Sequence, residues 1–497
     1  MIQTKLFALS PEPWKPHAYQ KRAVKWLLEH AAAALFLDPG LGKTSIALAA
    51  WKMLKAMDVA SRALVVAPLR VAHEVWPAEA EKWIDFQGLT VAVLHGPHKA
   101  ELFASDADVC VINPEGLEWL LGIEKTKTQT GRTRVAVDLR RWKSFGFDTL
   151  IVDELSKFKH IQTQRFKALK QVLPSFARRW GLTGSPAANG LIDLFGQCYI
   201  LDTGRSLGPY ITHYRMKYFT PSYDGFSWTL RDGADKEIYA RLKPLALRMS
   251  AEDYLEVPAV VETRIMVDLP KSARRVYDAL EDDLLARIDD KTVVAANAAA
   301  ASTKCRQVAN GGVYLTPDIE AFLAPRDRLR EWVDLHTAKV DAVADLIEEL
   351  QGQPLLVAYD FEHDLARLRA KLGKTVPYLG GGVSTTRMRE VVCAWNAGEL
   401  PVLLVQPQTV AHGLNLQGAD AAHIVFHSLT WNYEHDDQLI RRLRRQGNKA
   451  ARIFVYRVVA KDTVDEAILG ALRSKQRGQQ ALFEALRLRV YKRRRLS

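Results

Sequence analysis

Cysteine is scarce in this sequence, and the few cysteines present are far apart. The 497-residue chain contains only Cys110, Cys198, Cys305 and Cys393, with no close pair among them. Zinc ribbons require paired cysteines at short spacing, so this class of metal site is excluded, and nothing suggests a disulfide framework. A reducing compartment fits the chain best.

Long apolar runs are absent as well. No stretch of the sequence approaches the roughly 20 apolar residues that are needed to cross a bilayer. Residues 1–7 lack the charged-then-apolar build of a secretion signal. We therefore expect no membrane association, and we expect the protein to stay in the cytoplasm of the cell that makes it.

Acidic residues are outnumbered by basic ones. The formal net charge is +12 at pH 7, from 69 Lys and Arg residues against 57 Asp and Glu residues. A basic surface favours a polyanionic partner, most often nucleic acid, although charge alone also fits proteins that bind none. Part of this charge is concentrated in the run Arg441–Arg445 and in a basic tail over residues 481–497.

Two series of short apolar runs alternate with helical patterns along the chain. The runs, which are typical of buried parallel strands, cover residues 63–67, 89–94, 108–112 and 149–152, then 355–358, 402–405, 423–426 and 453–456. Such alternation predicts an α/β fold with two doubly wound parallel sheets and helical insertions. The expected divisions are residues 1–190 (first α/β domain), 191–335 (helical protrusions and linker), 336–480 (second α/β domain) and 481–497 (basic tail).

A glycine-rich turn stands before a helical pattern in the first half. The segment Gly40–Thr44 reads Gly-Leu-Gly-Lys-Thr, the end of a phosphate-binding loop, but Leu37 stands where such a loop usually has its first glycine. In a true loop Lys43 would neutralise the β- and γ-phosphates and Thr44 would bind magnesium. Backbone N–H groups do most of the phosphate binding, so Leu37 is compatible with this role.

Adjacent carboxylates end the strand at residues 149–152. Asp153 and Glu154 follow it directly, at the edge of a parallel sheet where ligands bind. Asp153 is suited to holding magnesium, and Glu154 to orienting or deprotonating an attacking water. A single Asp-Glu pair is weak evidence, but with Gly40–Thr44 in the same sheet it predicts a nucleotide-hydrolysing site.

These elements resemble the motifs of superfamily 2 helicases. Gly40–Thr44 resembles motif I, and Asp153–Ser156 resembles motif II. Leu182–Ala187 is similar to motif III of the Swi/Snf-type double-stranded DNA translocases, Leu-Thr-Gly-Thr-Pro, and differs from the Ser-Ala-Thr of DEAD-box RNA helicases. Further similarities follow in the expected order: His17–Gln20 (Q motif), Ala67–Arg70 (Ia), Val93–Gly96 (Ib), Leu356–Tyr359 (IV), His412–Gln417 (V, with reduced glycine content) and Gln438–Gly447 (VI).

The resemblance implies two RecA-like domains with a nucleotide cleft between them, and ATP and Mg²⁺ as cofactors. It implies catalytic roles for Lys43, Asp153, Glu154, Arg442 and Arg445, with Thr44 and Asp153 holding the metal. Nucleotide-binding residues would be Tyr19, Gln20, Pro39, Gly40, Leu41, Gly42, Lys43, Thr44, Ser45 and Gln438. Arg442 and Arg445 stand i, i+3 on an expected helix and would act from one face as arginine fingers, the alternative being a basic solvated helix.

Loops at the ends of strands supply the expected DNA contacts. Their short polar side chains and N–H groups suit phosphate oxygens, which position a duplex without reading its sequence. The residues are Pro68, Arg70, His95, Asn113, Thr183, Ser185, His412 and Asn415.

The expected function is that of a DNA-stimulated ATPase that moves along double-stranded DNA without sequence preference. The chain would act as a monomer, in a small form typical of a bacterium or a phage. One alternative is a helicase that separates strands of DNA or RNA, for which a basic hairpin expected over residues 125–134 could serve. A second is a non-catalytic regulatory protein that binds nucleic acid, which the intact motif residues argue against.

Overall fold

The computed structural model describes residues 12–127, 133–188, 190–221, 228–255, 257–289, 295–314, 332–410 and 414–477. Within them the chain divides into two compact units. We call these the N-terminal unit, which ends at residue 255, and the C-terminal unit, which covers residues 257–476. No helix among the described residues has both the length and the apolar character needed to cross a membrane.

The N-terminal unit is built on a parallel sheet. Its described strands are β1 (Ala32–Leu37), β2 (Ala63–Val66), β3 (Val91–Val93), β4 (Val109–Ile112), β5 (Glu124–Lys127), β6 (Thr133–Ala136), β7 (Thr149–Asp153), β8 (Arg178–Thr183), β9 (Phe219–Pro221), β10 (Trp228–Leu230) and β11 (Ala246–Met249). Seven of them form one sheet in the order β11-β1-β8-β7-β2-β4-β3, and every pairing in it is parallel. The apolar runs at β2, β4 and β7 are buried, as predicted from their composition.

Helices connect these strands. They are α1 (Ala18–Glu29), α2 (Lys43–Ala56), α3 (Leu69–Glu74), α4 (Trp76–Lys82), α5 (Lys99–Ala104), α6 (Leu117–Leu120), α7 (Leu139–Ser144), α8 (Gln164–Val172), α9 (Leu194–Asp202), α10 (Ile211–Tyr218) and α11 (Ala234–Leu242). Parallel strands require such crossover connections, which cover the faces of the sheet with apolar side chains.

The C-terminal unit repeats this plan. Its described strands are β12 (Ala259–Val267), β13 (Gly312–Tyr314), β14 (Trp332–Asp334), β15 (Leu355–Ala358), β16 (Tyr378–Leu379), β17 (Val402–Val405), β18 (His423–Phe426) and β19 (Arg452–Ala460). Six of them form a parallel sheet in the order β12-β19-β18-β15-β17-β16. Its helices are α12 (Lys271–Asp289), α13 (Ala295–Asn310), α14 (Ala338–Glu349), α15 (Glu362–Leu372), α16 (Thr385–Asn396), α17 (Pro407–Val410), α18 (Tyr433–Leu443) and α19 (464–477).

The α/β class with two parallel sheets is therefore confirmed, while the expected divisions at 190 and 335 differ from the structure. Strand β11 pairs with β1, and β12 pairs with β19 along nine residues. The segment 191–335 is thus shared between the two units, although it does contain the expected helices α12 and α13. The sequence did not reveal β12 because it is an edge strand with mostly exposed side chains, which lacks a continuous buried run.

Two expected surface features fall partly or wholly outside the described residues. Strands β5 and β6 pair antiparallel, which confirms a hairpin around residues 125–134, but residues 128–132 are not described. The basic tail at 481–497 also lies outside the described residues.

A buried polar cluster lies where α13 and α14 meet in the C-terminal unit. The Lys339 side chain is fully buried, pairs with Asp465 at 2.6 Å and donates to Asn310. Nε2 of His336 lies 2.9 Å from the carbonyl oxygen of Val308, while its Nδ1 accepts from a backbone N–H. Burial lowers the pKa of His336 to about 4, so the imidazole is neutral at physiological pH.

Candidate nucleotide site

The turn between β1 and α2 has the geometry of a phosphate-binding loop. Gly40 and Gly42 have positive φ values of 91° and 75°, which glycine adopts without strain. A Cβ atom at Gly42 would also lie 2.5 Å from Nε2 of Gln20, so the Gln20 amide would have to move to admit a side chain there. Helix α2 begins at Lys43, and the N–H groups of its first turn are available to an anion. Leu37 is the fully buried last residue of β1, so its side chain packs in the core and leaves the loop open.

The Lys43 ammonium group lies over this loop. Its Nζ donates to the carbonyl oxygens of Leu37 and Asp38, at 2.9 and 3.4 Å. Carbonyl oxygens are neutral acceptors, whereas phosphate oxygens make stronger charge-assisted bonds with an ammonium group. Lys43 is therefore held where a phosphate group would replace its present acceptors.

The two hydroxyl residues after Lys43 have different surroundings. Thr44 is nearly buried in the first turn of α2. Ser45 donates through Oγ to Glu79 of α4 at 2.7 Å, and Trp83 donates to the same carboxylate oxygen. The Ser45 side chain thus fastens α2 to α4, and only its backbone N–H remains for the nucleotide contact expected from the sequence.

Asp153 ends strand β7, and its side chain is half-buried. Its Oδ2 accepts a hydrogen bond of 3.0 Å from the indole N–H of Trp76. Burial raises the pKa of Asp153 to about 6, and the Glu154 charge adds to this, while the Lys43 charge and the Trp76 bond act in the opposite direction. Carboxylate and hydroxyl oxygens are ligands that Mg²⁺ takes in proteins, so Asp153 and Thr44 fit a magnesium ion. The sequence did not predict the role of Trp76 at this site, because a tryptophan at the start of a helix is usually interpreted as a core residue.

Glu154 adopts a left-handed backbone conformation and has a fixed side chain. Its φ of 62° is unusual for a residue with a Cβ atom and costs about 1–2 kcal/mol. One carboxylate oxygen, Oε1, accepts hydrogen bonds from the hydroxyl of Thr183 at 2.8 Å and from that of Ser156 at 2.9 Å. Strained residues held by their surroundings are common at functional sites. The two hydroxyl groups define the direction of the Glu154 carboxylate.

This arrangement corrects the DNA-binding role expected for Thr183 and Ser185. Both side chains are buried, and the backbone N–H of Ser185 donates to Oγ1 of Thr183. A side chain in the interior of the unit cannot reach a phosphate of bound DNA. Motif III therefore supports Glu154 through Thr183. The sequence could not show this, because a hydroxyl side chain in a loop fits either role.

The entrance of the phosphate loop is fixed by an ion pair that the sequence did not suggest. Asp38 and Arg248 are 2.8 Å apart, and both side chains are buried. Arg248 also donates to the carbonyl oxygens of Phe36 and Met249. Through these bonds β11 holds the end of β1. Pro39, the next residue, lies beside Gly184 of motif III.

The Q-motif residues lie against the same loop. Nε2 of Gln20 donates to the carbonyl oxygen of Leu41 at 3.4 Å, and its Oε1 accepts from the backbone N–H of His17. Tyr19 is buried beside it. The structure thus brings the expected residues Gln20 and Leu41 together at the phosphate loop, with Tyr19 next to Gln20 in the chain.

Four of the expected DNA contacts follow neighbouring strands. Pro68 and Arg70 come after β2, Asn113 after β4 and His95 after β3, and these strands are adjacent in the sheet. His95 is exposed and lies edge-on to the ring of His73. Asn113 donates to Glu115 at 2.9 Å. The three loops therefore lie side by side at the carboxyl edge of the N-terminal sheet.

Motif VI covers helix α18 and the residues after it. Asn432 caps the helix by accepting from the N–H of Glu434, and the acidic first turn and basic last turn favour the helix dipole. Gln438 is buried, and its side chain donates a hydrogen bond to Glu434, one turn earlier in the same helix. His412, in the motif V segment, lies outside the described residues.

The two motif VI arginines do not share one helical face as expected. Helix α18 ends at Leu443, so Arg445 lies beyond it and the i, i+3 relation with Arg442 does not apply. Both are nevertheless directed at the same segment: Arg442 donates to the carbonyl oxygen of Leu414 at 2.9 Å, and Arg445 to Oδ1 of Asn415. Asn415, an expected DNA contact, is exposed and holds Arg445.

Family models match both units of the chain. Residues 19–315 match the SNF2-related domain, and residues 338–447 match the helicase conserved C-terminal domain. Protein p41 of Acyrthosiphon pisum secondary endosymbiont phage 1 is 31% identical over 490 residues, which cover 95% of this chain and 98% of p41.

A second relative is a Caenorhabditis elegans homologue of the SWI/SNF-related, matrix-associated, actin-dependent regulator of chromatin subfamily A containing DEAD/H box 1. It is 25% identical over 92% of this chain, which spans half the length of that relative. The solved SWI2/SNF2 ATPase core of Sulfolobus solfataricus in complex with dsDNA is 21% identical, with a TM-score of 0.43, over 96% of this chain and 98% of that one. On the family models and p41, the chain belongs to the SNF2-related family of helicase-like ATPases.

Proposed function

We propose that this protein hydrolyses ATP to move along double-stranded DNA. The observation that carries the catalytic part is the group of side chains at the carboxyl ends of β1, β7 and β8. There Lys43 lies over the phosphate loop, and Glu154 is fixed by hydroxyl groups from Thr183 and Ser156.

In this proposal each side chain has a defined task. Lys43 leaves its carbonyl acceptors and binds the β- and γ-phosphates. Bound Mg²⁺, held through Thr44 and Asp153, would supply positive charge to the phosphate oxygens. Glu154 orients the attacking water, and the hydroxyl groups of Thr183 and Ser156 set the direction of its carboxylate. Arg445 stabilises the charge that develops on the transferred phosphoryl group.

The DNA partner is inferred from charge and from the placement of loops. The chain carries a net charge of +12, and Pro68, Arg70, His95 and Asn113 follow three adjacent strands of one sheet. A row of polar side chains and backbone N–H groups at strand ends suits the regularly spaced phosphates of a duplex. We propose binding without sequence preference by a monomer, in the cytoplasm of a bacterial or phage-infected cell.

The first experiment measures phosphate release with duplex DNA, single-stranded DNA and RNA. We expect duplex DNA to stimulate turnover most, and we expect Lys43→Ala and Glu154→Gln to abolish it. Glu154→Gln should still bind ATP, whereas Lys43→Ala should bind it poorly. Stimulation by RNA or single strands with no response to duplex would refute the duplex motor.

Movement is tested separately by displacement of a third strand from a DNA triplex. A motor on duplex DNA removes the third strand and leaves the duplex paired, whereas a strand-separating helicase unwinds the duplex. Binding should also weaken with salt, because about 6–10 phosphate contacts lower affinity about 10³–10⁵-fold between 50 and 200 mM salt. Salt-independent binding would contradict the phosphate contacts.

A further inference from the structure

The segment after β11 returns to the phosphate loop. Asp38, which precedes the loop, accepts hydrogen bonds from the backbone N–H of Ala251 at 3.0 Å and from Oγ of Ser250 at 3.3 Å. The buried pair with Arg248 fixes the same carboxylate. Residues 250–251 are therefore held in place at the nucleotide site, although they lie more than 200 positions further along the chain.

A short turn then places an aromatic ring beside the Q motif. Residues Ala251–Asp253 form one turn of 3₁₀-helix, and the N–H of Tyr254 donates to the carbonyl oxygen of Ala251. The Tyr254 ring lies 4.8 Å from the ring of Tyr19, with an angle of 33° between them. Tyr19 is buried, whereas Tyr254 is 38% exposed. Part of the Tyr254 ring is thus open to solvent next to Tyr19.

Polar groups that could read a base lie next to this ring. Gln20 follows Tyr19 in the chain, and its amide touches the phosphate loop at Leu41 and Gly42. The His17 ring stacks on Tyr19 at 5.3 Å, so aromatic surface continues along this side. Exposed aromatic rings beside a fixed amide have the chemistry that binds a nucleobase, by stacking on its face and hydrogen bonding to its edge.

We propose that Tyr254 stacks on the base of the bound nucleotide, and that β11 and the turn after it form the base-binding wall of the site. This proposal rests on the use of ATP by the N-terminal unit and adds a residue outside the sequence motifs. Arg248 and Asp38 are positioning residues in it, because they fix the turn that carries Tyr254. Stacking of a base on an aromatic side chain is worth about 5–150-fold in affinity.

The test compares a ligand that has a base with one that lacks it. Calorimetry gives the Kd of ADP and of inorganic tripolyphosphate for the intact chain and for Tyr254→Ala and Tyr254→Phe. We expect Tyr254→Ala to weaken ADP binding about 5–150-fold and to leave tripolyphosphate binding unchanged, since only ADP has a base to stack. Tyr254→Phe, which keeps the ring, should bind ADP within a factor of two or three of the unaltered chain.

A matched control is Tyr210→Ala, because Tyr210 is 60% exposed and its ring contacts only His213 among the described aromatic residues. This variant should bind both ligands normally. Unchanged ADP binding in Tyr254→Ala would overturn the proposal. Equal weakening of both ligands would also overturn it, since Tyr254 would then act by shaping the loop.

Steady-state kinetics provide a second readout. Tyr254→Ala should raise the KM for ATP and change kcat little, because the base lies away from the reacting phosphate. A fall in kcat with unchanged KM would contradict base stacking. Failure of the proposed ATPase would be recognised separately, because the unaltered chain would then release no phosphate from ATP, whatever its affinity for ADP.

Discussion

Replacing Thr183 by valine removes one of the two hydroxyl groups that hold the Glu154 carboxylate and preserves the branched shape of the side chain. The lost hydrogen bond is 2.8 Å long, and the Thr183 side chain that donates it is fully buried. A hydrogen bond to a charged group contributes about 1.5–3 kcal/mol. If the whole of this energy is lost from the transition state of hydrolysis and none from ATP binding, kcat should fall about 10–150-fold, because each 1.36 kcal/mol corresponds to a factor of ten in rate.

The assay is phosphate release under saturating duplex DNA, with kcat and KM determined separately. KM for ATP should stay nearly constant, because Thr183 contacts Glu154 and not the substrate in the proposed mechanism. Thr183→Ser keeps the donor and should retain most of the activity, and Ser156→Ala should resemble Thr183→Val. Retention of more than half of kcat by Thr183→Val would refute the reasoning. A loss in the serine variant as large as that in the valine variant would show that the hydroxyl group alone does not account for the effect.

Three further results are expected. Arg248→Met leaves Asp38 buried without its cation, which should lower the free energy of unfolding of the N-terminal unit by about 3–5 kcal/mol. The double variant that also carries Asp38→Leu should recover most of this loss in urea unfolding. An unaltered urea midpoint in Arg248→Met would disprove a structural role for the pair. His336 has a pKa of about 4 in the folded state and near 6.5 in the unfolded state, so the unfolded state takes up the proton first as the pH falls. The free energy of unfolding of the C-terminal unit should therefore fall by up to about 3 kcal/mol between pH 6.5 and pH 4. Urea midpoints at pH 7 and pH 5 check this, and His336→Gln should remove the pH dependence. Arg445→Ala should lower ATP turnover about 10³–10⁵-fold with little change in nucleotide affinity, and a loss of only a few-fold would make Arg445 a surface charge.

The sequence predicts those parts of the fold that depend on local composition. Buried strands such as β2 and β15 are continuous aliphatic runs, because both faces of each strand are buried in the unit. Such runs can be recognised in the sequence without knowledge of their neighbours. The phosphate loop and the Asp153–Glu154 pair are each a short contiguous segment of the chain. Their residue types and their order along the sequence are therefore enough to predict them. The structure places Gly42, Lys43 and Gln20 together as their motifs indicate.

Features that depend on distant pairing could not be predicted in this way. Arg248 and Asp38 are separated by 210 positions, and no local pattern relates them. Thr183 has a side chain that also suits a phosphate contact, and only its burial and its hydrogen bond show that it orients Glu154, 29 positions earlier in the chain. Helix α18 ends at Leu443 because Arg444 leaves the helical conformation, with a ψ of 69°, and the Arg444 side chain donates to the carbonyl oxygen of Pro258; helical periodicity reveals neither feature.

The position of β1 between β8 and β11 has a consequence for protein synthesis. The ribosome makes β1 early, but its neighbour β11 follows 212 residues later, counted from Phe36 to Arg248. At about 5–20 residues per second this delay is about 10–40 s, during which one edge of the strand has unpaired N–H and C=O groups. A polypeptide stalled or cleaved between residues 190 and 246 would carry the phosphate loop on that open edge, where it could pair with another nascent chain. Completing the nucleotide site and covering the open edge of β1 are thus the same event.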